Sequence, residues 1–265
     1  VCDYANIDHN YMREFAFKVL KSGEKPILAI LGGAKISSKI PILKNIIKIA
    51  DHIIVGGGMS FTFIKAMGGK IGLSIHEDSM LDTAKEIIEK AEKNNVKIHL
   101  PIDVVCSKDF DNESEQKLFD ITKIGNDFQG MDAGPKSLDL FERVVMNSKT
   151  ILWNGPLGVF EFSNFSNGTK MLGVFISKST KQGAFSLVGG GDSVAAVKKF
   201  KIENIDAHYS NFELDNISSL RELFSDRKLS GLNVTIPFKE KVISQLDYLD
   251  EISQEIDAVN TEKKV

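Results

Sequence analysis

Short apolar runs alternate with longer amphipathic segments along most of the chain. The runs carry apolar residues at consecutive positions, which is typical of strands in a parallel sheet that helices cover on both sides. The segments between them repeat their apolar positions every three or four residues, as helices do. This alternation predicts a doubly wound α/β domain with a parallel, Rossmann-like sheet. We predict strands within 26–33, 52–58, 96–105, 149–155 and 184–191, and helices within 37–50, 80–95, 137–148, 167–183 and 192–200.

Four of the five predicted strands end in turns that contain glycine: LGGAK, VGGGMS, WNGPLG and VGGGDS. A single glycine after a strand is usually only a tight turn. In an open α/β sheet, however, the carboxyl ends of the strands line the ligand crevice, and glycine allows the backbone to approach a ligand closely. Four such turns at one edge of the sheet therefore predict a binding site.

Charged residues beside these turns indicate an anionic ligand. Lys35 and Lys39 are four residues apart at the predicted start of a helix, where the dipole and the unpaired N–H groups already attract anions. Asp192 follows three glycines and could hold a magnesium ion beside a polyphosphate. The alternatives are that both lysines are solvated surface residues and that Asp192 only caps the following helix.

Two common nucleotide motifs are missing from the sequence. It contains neither the phosphate-loop pattern GxxxxGK[ST] nor the full dinucleotide pattern GxGxxG. We therefore do not expect a Walker-type NTPase or a dinucleotide-binding dehydrogenase in this part of the chain.

Composition narrows the class of protein. The net charge of −3 gives no basic field that would attract nucleic acid, and no apolar run reaches the roughly 18 residues of a membrane span. Together with an amino-terminal segment unlike a signal peptide, this predicts a cytoplasmic protein without a nucleic-acid or membrane partner. Cys2 and Cys106 are too few for a disulfide framework, and Cys106 follows an apolar run, so we expect a buried structural thiol.

The strings ILGGAKISSKI, DHIIVGGGMSFTFIKAMGG, LPIDVV, MDAGPKS, KTILWNGPLGVFE and LVGGGDSVAAVKKF carry a resemblance to a known family. In their order and intervals, residues from about 13 to 200 resemble the C-terminal, nucleotide-binding domain of phosphoglycerate kinase. The resemblance implies binding of ATP or ADP with magnesium, and phosphoryl transfer between 1,3-bisphosphoglycerate and ADP in glycolysis.

The resemblance also implies a role for individual residues. Lys35 and Lys39 would be the catalytic cations, and Asp192 would ligate magnesium. Glu161 would bind the ribose, and Asn154, Gly191 and Ser193 would lie at the phosphates. The two walls of the adenine pocket would be formed by Gly33, Ala34, Gly57 and Gly58, and by Pro156, Gly158 and Val159.

The chain departs from the family pattern in two places. The phosphoglycerate-binding N-terminal half is missing, and no glycine-rich STGGG turn follows Phe200. In the family, the N-terminal half binds the phosphoglycerate, and the STGGG turn faces the transferred phosphoryl group. We therefore expect nucleotide binding without turnover by the chain alone.

The tail resembles a second family. NVTIPFK, followed about twenty residues later by AVNT, resembles the substrate domain of shikimate dehydrogenase. This implies a catalytic role for Lys239 and substrate contacts for Thr235 and Asn260; the alternative is that Lys239 lies on a solvated helix face. The serine pair, the catalytic aspartate and the NADP-binding domain of that family are missing. A fragment of this size buries little surface, so we predict loose packing after Ile205.

We predict two domains, 1–202 and 203–265, and a surface excursion with one short hairpin within 107–134. KKFKIENIDAHY could continue either family, and no linker separates the two parts, which indicates a join between fragments. Three functions stay open: a phosphotransferase domain that needs a separate partner half, a non-catalytic nucleotide-binding chimera, and an oxidoreductase fragment. MgADP binding separates the first two from the third.

Overall fold

The computed structural model describes residues 22–203, 231–233 and 261–263. The chain divides into two compact units, of which the larger is formed by Phe17–Ile205 and the smaller by Val1–Ala16 with Asp206–Val265. In the smaller unit, residues 231–233 pair with 261–263 as two antiparallel strands. The predicted shikimate-type residues Thr235, Lys239 and Asn260 lie outside the described residues.

Strands and helices alternate through the larger unit. Its strands are β1 Ile27–Leu31, β2 His52–Val55, β3 Lys70–Ile71, β4 Lys97–His99, β5 Asp103–Ser107, β6 Lys117–Asp120, β7 Lys123–Ile124, β8 Gln129–Ala133, β9 Thr150–Asn154 and β10 Phe185–Gly189. Its helices are α1 Ile40–Ile46, α2 Met59–Ala66, α3 Leu81–Lys93, α4 Pro135–Met146, α5 Asn167–Lys181 and α6 Gly191–Lys199.

The central sheet has five parallel strands in the order β10-β9-β1-β2-β4. All residues of β1 are buried, as are the first four residues of β9, including Trp153. Strands buried on both faces need helices on each side, and the helices between successive strands supply them. The sequence-based prediction of a doubly wound α/β fold is therefore confirmed.

The chain reverses its direction of travel across the sheet after β4. From β1 it proceeds to β2 and β4 on one side, and it then returns to β9 and β10 on the other side. The carboxyl ends of β1 and β9 thus form a topological switch point, where open α/β sheets bind ligands.

One predicted strand is wrong in its extent. The apolar run 96–105 forms two strands: β4 lies at the edge of the central sheet, and β5 belongs to a separate antiparallel sheet. Pro101 lies between them and has no N–H for a sheet ladder, which favours a break at this position.

The segment after β5 is more regular than the predicted surface excursion. It forms the three-stranded antiparallel sheet β6-β5-β8, and β7 pairs with β3. Val104 and Cys106 of β5, together with Ile121 after β6, belong to one buried apolar cluster with Phe61 and Ile64 of α2. Burial raises the pKa of the Cys106 thiol to about 12, which confirms a buried, unreactive cysteine.

Helix α2 is absent from the sequence-based predictions. Six consecutive residues, from Met59 to Ile64, are buried, so the helix has no polar stripe that would give an amphipathic period. Within residues 22–203 and the two short tail strands, no helix is both long and apolar enough to cross a membrane.

Candidate functional site

A cavity of about 380 Å³ lies at the carboxyl edge of the central sheet. Its size falls within the usual range of small-molecule sites. Nine of the predicted site residues line it together: Gly33, Ala34, Gly57, Gly58, Pro156, Gly158, Val159, Glu161 and Asp192. The structure therefore brings together turns that are up to about 160 residues apart in sequence, as expected for strand ends at one edge.

The turns after β1 and β9 approach each other too closely for side chains. The amides of Gly32 and Gly33 donate to the carbonyls of Asn154 and Pro156, at 3.0 and 3.1 Å. A Cβ atom on Gly32 would lie 2.1 Å from the Pro156 carbonyl oxygen. Glycine is therefore required at position 32 for the two strand ends to meet.

Lys35 and Lys39 do not lie on one α-helix, contrary to the prediction. A 3₁₀ turn occupies Ser37–Lys39, and α1 begins only at Ile40, with Pro41 in its first turn. Lys35 precedes both and is exposed next to Ala34, which lines the cavity. The two lysines therefore lie at the rim of the cavity and not among its lining residues.

The Asn154 side chain connects Lys39 with the last glycine turn. The Lys39 ammonium group donates a hydrogen bond to Asn154 Oδ1. A Cβ atom on Gly190 would lie 3.3 Å from Asn154 Nδ2, so the side chain lies against this turn. Asp192, two residues further, lines the same cavity. The predicted cationic and acidic residues thus lie at one edge of the sheet.

Asp192 is not the cap of α6, so the alternative considered for it is wrong. The N-cap is Gly190, with φ of 88°, and no side chain caps the helix. Asp192 lies in the first turn with an exposed side chain. A Cβ atom on Gly191 would meet nothing within 4 Å, so the backbone of this turn is open to a ligand.

Ser193 is fully buried, and its hydroxyl oxygen accepts a hydrogen bond from the Gly155 amide at 2.6 Å. It therefore holds the turn after β9 against α6. Its predicted contact with a phosphate stays a prediction.

Sequence reasoning missed Asp132, which lines the cavity although its side chain is only 4% exposed. Its carboxylate accepts hydrogen bonds from the amides of Gly168 at 2.7 Å and Ala133 at 2.9 Å. Burial raises the pKa of Asp132 to about 7, although these backbone donors and the Asn167 amide favour the charged form. The available signal was an acid near the end of the predicted excursion, in the string MDAGPKS that carries the family resemblance.

The loop after β9 rests on Asp132 and is also held by α6. A Cβ atom on Gly158 would lie 2.2 Å from Asp132 Oδ1, so this loop packs directly on the carboxyl group. At the other end, the Lys199 ammonium group donates to the carbonyls of Phe160 and Glu161 at 2.8 and 3.0 Å. Lys199 thereby connects α6, which carries Asp192, with the loop that carries Glu161.

An apolar wall closes the cavity on the side of the small sheet. It was not predicted, because Phe61 comes from the unpredicted helix α2, and Phe110 and Ile121 come from the predicted surface excursion. A flat apolar ring would fit against this wall, which is formed by Phe61, Ile75, Val104, Phe110 and Ile121.

Comparison with known proteins identifies the family. The sequence profile of phosphoglycerate kinase matches residues 12–212, more than half of the chain. The chain belongs to the phosphoglycerate kinase family. A curated phosphoglycerate kinase from Porphyromonas gingivalis is 47% identical over 207 residues, covering 76% of this chain and 50% of that protein. One from Thermosipho africanus is 43% identical over 198 residues, covering 74% and 49%.

Solved structures agree with this assignment. Phosphoglycerate kinase from Coxiella burnetii matches with a TM-score of 0.70 at 36% identity, covering 76% of this chain and 52% of that one. The chain thus spans about half the length of the phosphoglycerate kinases that it matches. A second profile, the shikimate dehydrogenase substrate binding domain, matches residues 193–261 and so overlaps the first over 193–212.

The residues at the cavity are compatible with a magnesium ion that a bound polyphosphate would bring with it. Among residues 22–203 and the described tail strands, no group of three His, Cys, Asp or Glu side chains could hold a metal ion. Magnesium needs no such group when phosphate oxygens and waters supply most of its ligands. The exposed carboxylate of Asp192, which lines the cavity, is compatible with this mode.

Proposed function

We propose that the larger unit binds MgATP or MgADP at the carboxyl edge of its central sheet. The observation that carries this proposal is the continuous series of contacts from Lys39 through Asn154 to the Gly190 turn, beside a cavity that Asp192 lines. A cation, an amide and a carboxylate are thereby placed along one rim, which suits a metal-bound polyphosphate.

The proposed orientation follows from the chemistry of the two ends of the cavity. Adenine would lie between Gly33, Ala34, Gly57 and Gly58 on one side and Pro156, Gly158 and Val159 on the other, against the apolar wall. Glu161 would accept hydrogen bonds from the ribose hydroxyls. Lys35, Lys39, Asn154 and the open turn at Gly191 would receive the phosphates, with Ser193 holding the neighbouring turn.

In the family's reaction a phosphoryl group moves between 1,3-bisphosphoglycerate and ADP. Such a transfer depends on in-line positioning and on cations around the transferred group, rather than on a protein nucleophile. Lys35 and Lys39 would supply positive charge from the nucleotide side, and the bound magnesium would neutralise phosphate oxygens. Because the chain spans only half of its relatives, we propose nucleotide binding without turnover by this chain alone.

Isothermal titration calorimetry with MgADP tests the binding proposal. Loss of a charge-assisted hydrogen bond costs about 1.5–3 kcal/mol, so Lys39→Ala should weaken binding by about 10–100-fold. Lys90→Ala removes an exposed lysine from α3, away from the cavity lining, and should bind MgADP as the wild type does. Equal affinities for all three proteins would refute the proposed site.

An enzyme assay tests the second part of the proposal. The chain alone should form no ATP from ADP and 1,3-bisphosphoglycerate. In a control reaction, the N-terminal half of a phosphoglycerate kinase is added as a separate chain, to test whether a competent partner restores ATP formation. ATP formation by the chain alone at a rate typical of the family would contradict the proposal.

For residues 203–265 we propose a partial shikimate dehydrogenase-like substrate domain, joined to the kinase part near residues 193–212. The profile match and its overlap with the kinase match support this. The match covers a substrate binding domain only, so we expect no NADP-dependent oxidation of shikimate by residues 203–265. Measurable oxidation that disappears in Lys239→Ala would instead establish an oxidoreductase function for the tail.

A further inference from the structure

The segment that carries Lys35 and Lys39 is held by a residue from a distant part of the chain. Its 3₁₀ turn has no side-chain cap at Ile36. Glu77, forty residues away in sequence, supplies the missing acceptor. Glu77 Oε2 accepts from the Ser37 amide at 3.0 Å, and Oε1 accepts from the Ser37 hydroxyl at 2.6 Å.

Glu77 is itself fixed in position. Its amide donates to Thr62 Oγ1 at 3.1 Å, and Thr62 is fully buried on α2. Burial by itself would raise the pKa of Glu77, but the hydrogen bonds from Ser37, the nearby Ile36 amide and the charge of Lys35 lower the pKa below its ordinary value. Glu77 is therefore a carboxylate at neutral pH and a strong acceptor.

This contact changes how the segment can meet an anion. The sequence suggested that a helix N-terminus beside Lys35 would offer unpaired amides to the ligand. In the structure, the amide of Ser37 already donates to a carboxylate of the protein. A phosphate at this rim would consequently be bound by the ammonium groups and not by this amide.

We propose that Glu77 is a positioning residue for polyphosphate binding, which rests on the proposed function. By closing the first turn it sets the direction of the backbone between Lys35 and Lys39. The side chain of Ile36, which is fully buried, and the bond from Lys39 to Asn154 hold the segment at two further points. Glu77 acts through the lysines and touches no ligand.

Electrostatics alone predicts the opposite effect of removing Glu77. A carboxylate near Lys35 opposes the approach of phosphate, so its removal would strengthen MgADP binding if charge were its only influence. Asp78→Asn is a matched control, because Asp78 is the next residue, carries the same charge and pairs with Lys65 rather than with the lysine segment. The sign of the change therefore distinguishes positioning from charge.

The test compares wild type, Glu77→Ala, Glu77→Gln and Asp78→Asn with two ligands, MgADP and adenosine. We expect about tenfold weaker MgADP binding by Glu77→Ala, since two hydrogen bonds of modest net strength are lost. Glu77→Gln keeps one acceptor oxygen, so its affinity for MgADP should lie between those of wild type and Glu77→Ala. Adenosine has no phosphate, so its affinity should stay the same in all four proteins, and Asp78→Asn should bind MgADP at least as tightly as wild type.

Two results would overturn the proposal: Glu77→Ala binding MgADP as tightly as wild type or more tightly, or an equal loss of adenosine and MgADP affinity, which would indicate general disruption. Amide hydrogen exchange gives a readout without ligand. Protection of the Ser37 amide should be lost in Glu77→Ala and retained in Asp78→Asn. Failure of wild type to bind MgADP would refute the proposed function. Unchanged protection of the Ser37 amide in Glu77→Ala would separately refute the positioning role of Glu77.

Discussion

The buried carboxyl group of Asp132 makes the stability of the larger unit depend on pH in a predictable direction. Burial raises the pKa of Asp132 from its ordinary value of 3.8 to about 7. Each pKa unit corresponds to about 1.4 kcal/mol, so the rise amounts to about 4 kcal/mol. Between these two pH values the unfolded chain releases a proton that the native protein keeps, so stability falls as the pH rises through this range.

Asp132→Asn keeps the shape of the side chain and removes its ionisation. One of the two acceptor oxygens becomes an amide group facing a backbone N–H, at a cost of about 1–3 kcal/mol at low pH. As the pH rises, only the wild type loses stability. The free energy of unfolding of the variant, relative to wild type, should therefore rise by about 2–3 kcal/mol between pH 5 and pH 8.

Guanidinium unfolding followed by tryptophan fluorescence measures this difference. Trp153 is the single tryptophan of the chain and is fully buried in β9, so it reports on the larger unit. Asp82→Asn, which removes an exposed carboxylate of α3, should follow the wild-type pH dependence. Parallel curves for wild type and Asp132→Asn from pH 5 to 8 would refute the reasoning, because native Asp132 would then ionise like an ordinary carboxyl group.

Three further changes have expected outcomes. Ser193→Ala leaves the buried Gly155 amide without its acceptor and should lower stability by about 1–3 kcal/mol and weaken MgADP binding, as measured by denaturation and calorimetry. Gly32→Ala places a methyl group 2.1 Å from the Pro156 carbonyl oxygen and should abolish MgADP binding; unchanged affinity would show that the strand ends can separate freely. Burial, with nearby positive charge, lowers the pKa of His99 to about 4, so protonation of this residue should cost about 3 kcal/mol of stability between pH 6.5 and 4. The free energy of unfolding of His99→Phe, measured by denaturation, should therefore rise by about 3 kcal/mol relative to wild type as the pH falls through this range.

The parts of the fold that the sequence predicts correctly are those fixed by local patterns. Continuous apolar runs predicted the central strands, and their terminal glycines predicted the edge at which Gly33, Gly57, Gly158 and Asp192 line one cavity. Helix α2 escaped prediction because its burial on all sides leaves no polar face to read.

The details of the site depend on contacts between distant residues, and local pattern does not encode them. Asp132 is recognisable as a site residue only through Gly168 and the loop at Gly158, which pack around its carboxyl group. The lysine segment was predicted as the start of one helix, whereas the carboxylate of Glu77 closes its first turn from forty residues away.

We propose that the edge of the sheet binds a magnesium-complexed polyphosphate and that Asp192 is the protein's ligand to the metal. The most direct measurement is the affinity for ADP with and without magnesium, in wild type and in Asp192→Ala. We predict that magnesium strengthens ADP binding to wild type and that Asp192→Ala loses most of this gain while still binding metal-free ADP. An equal gain from magnesium in both proteins, or no ADP binding by wild type, would contradict the account.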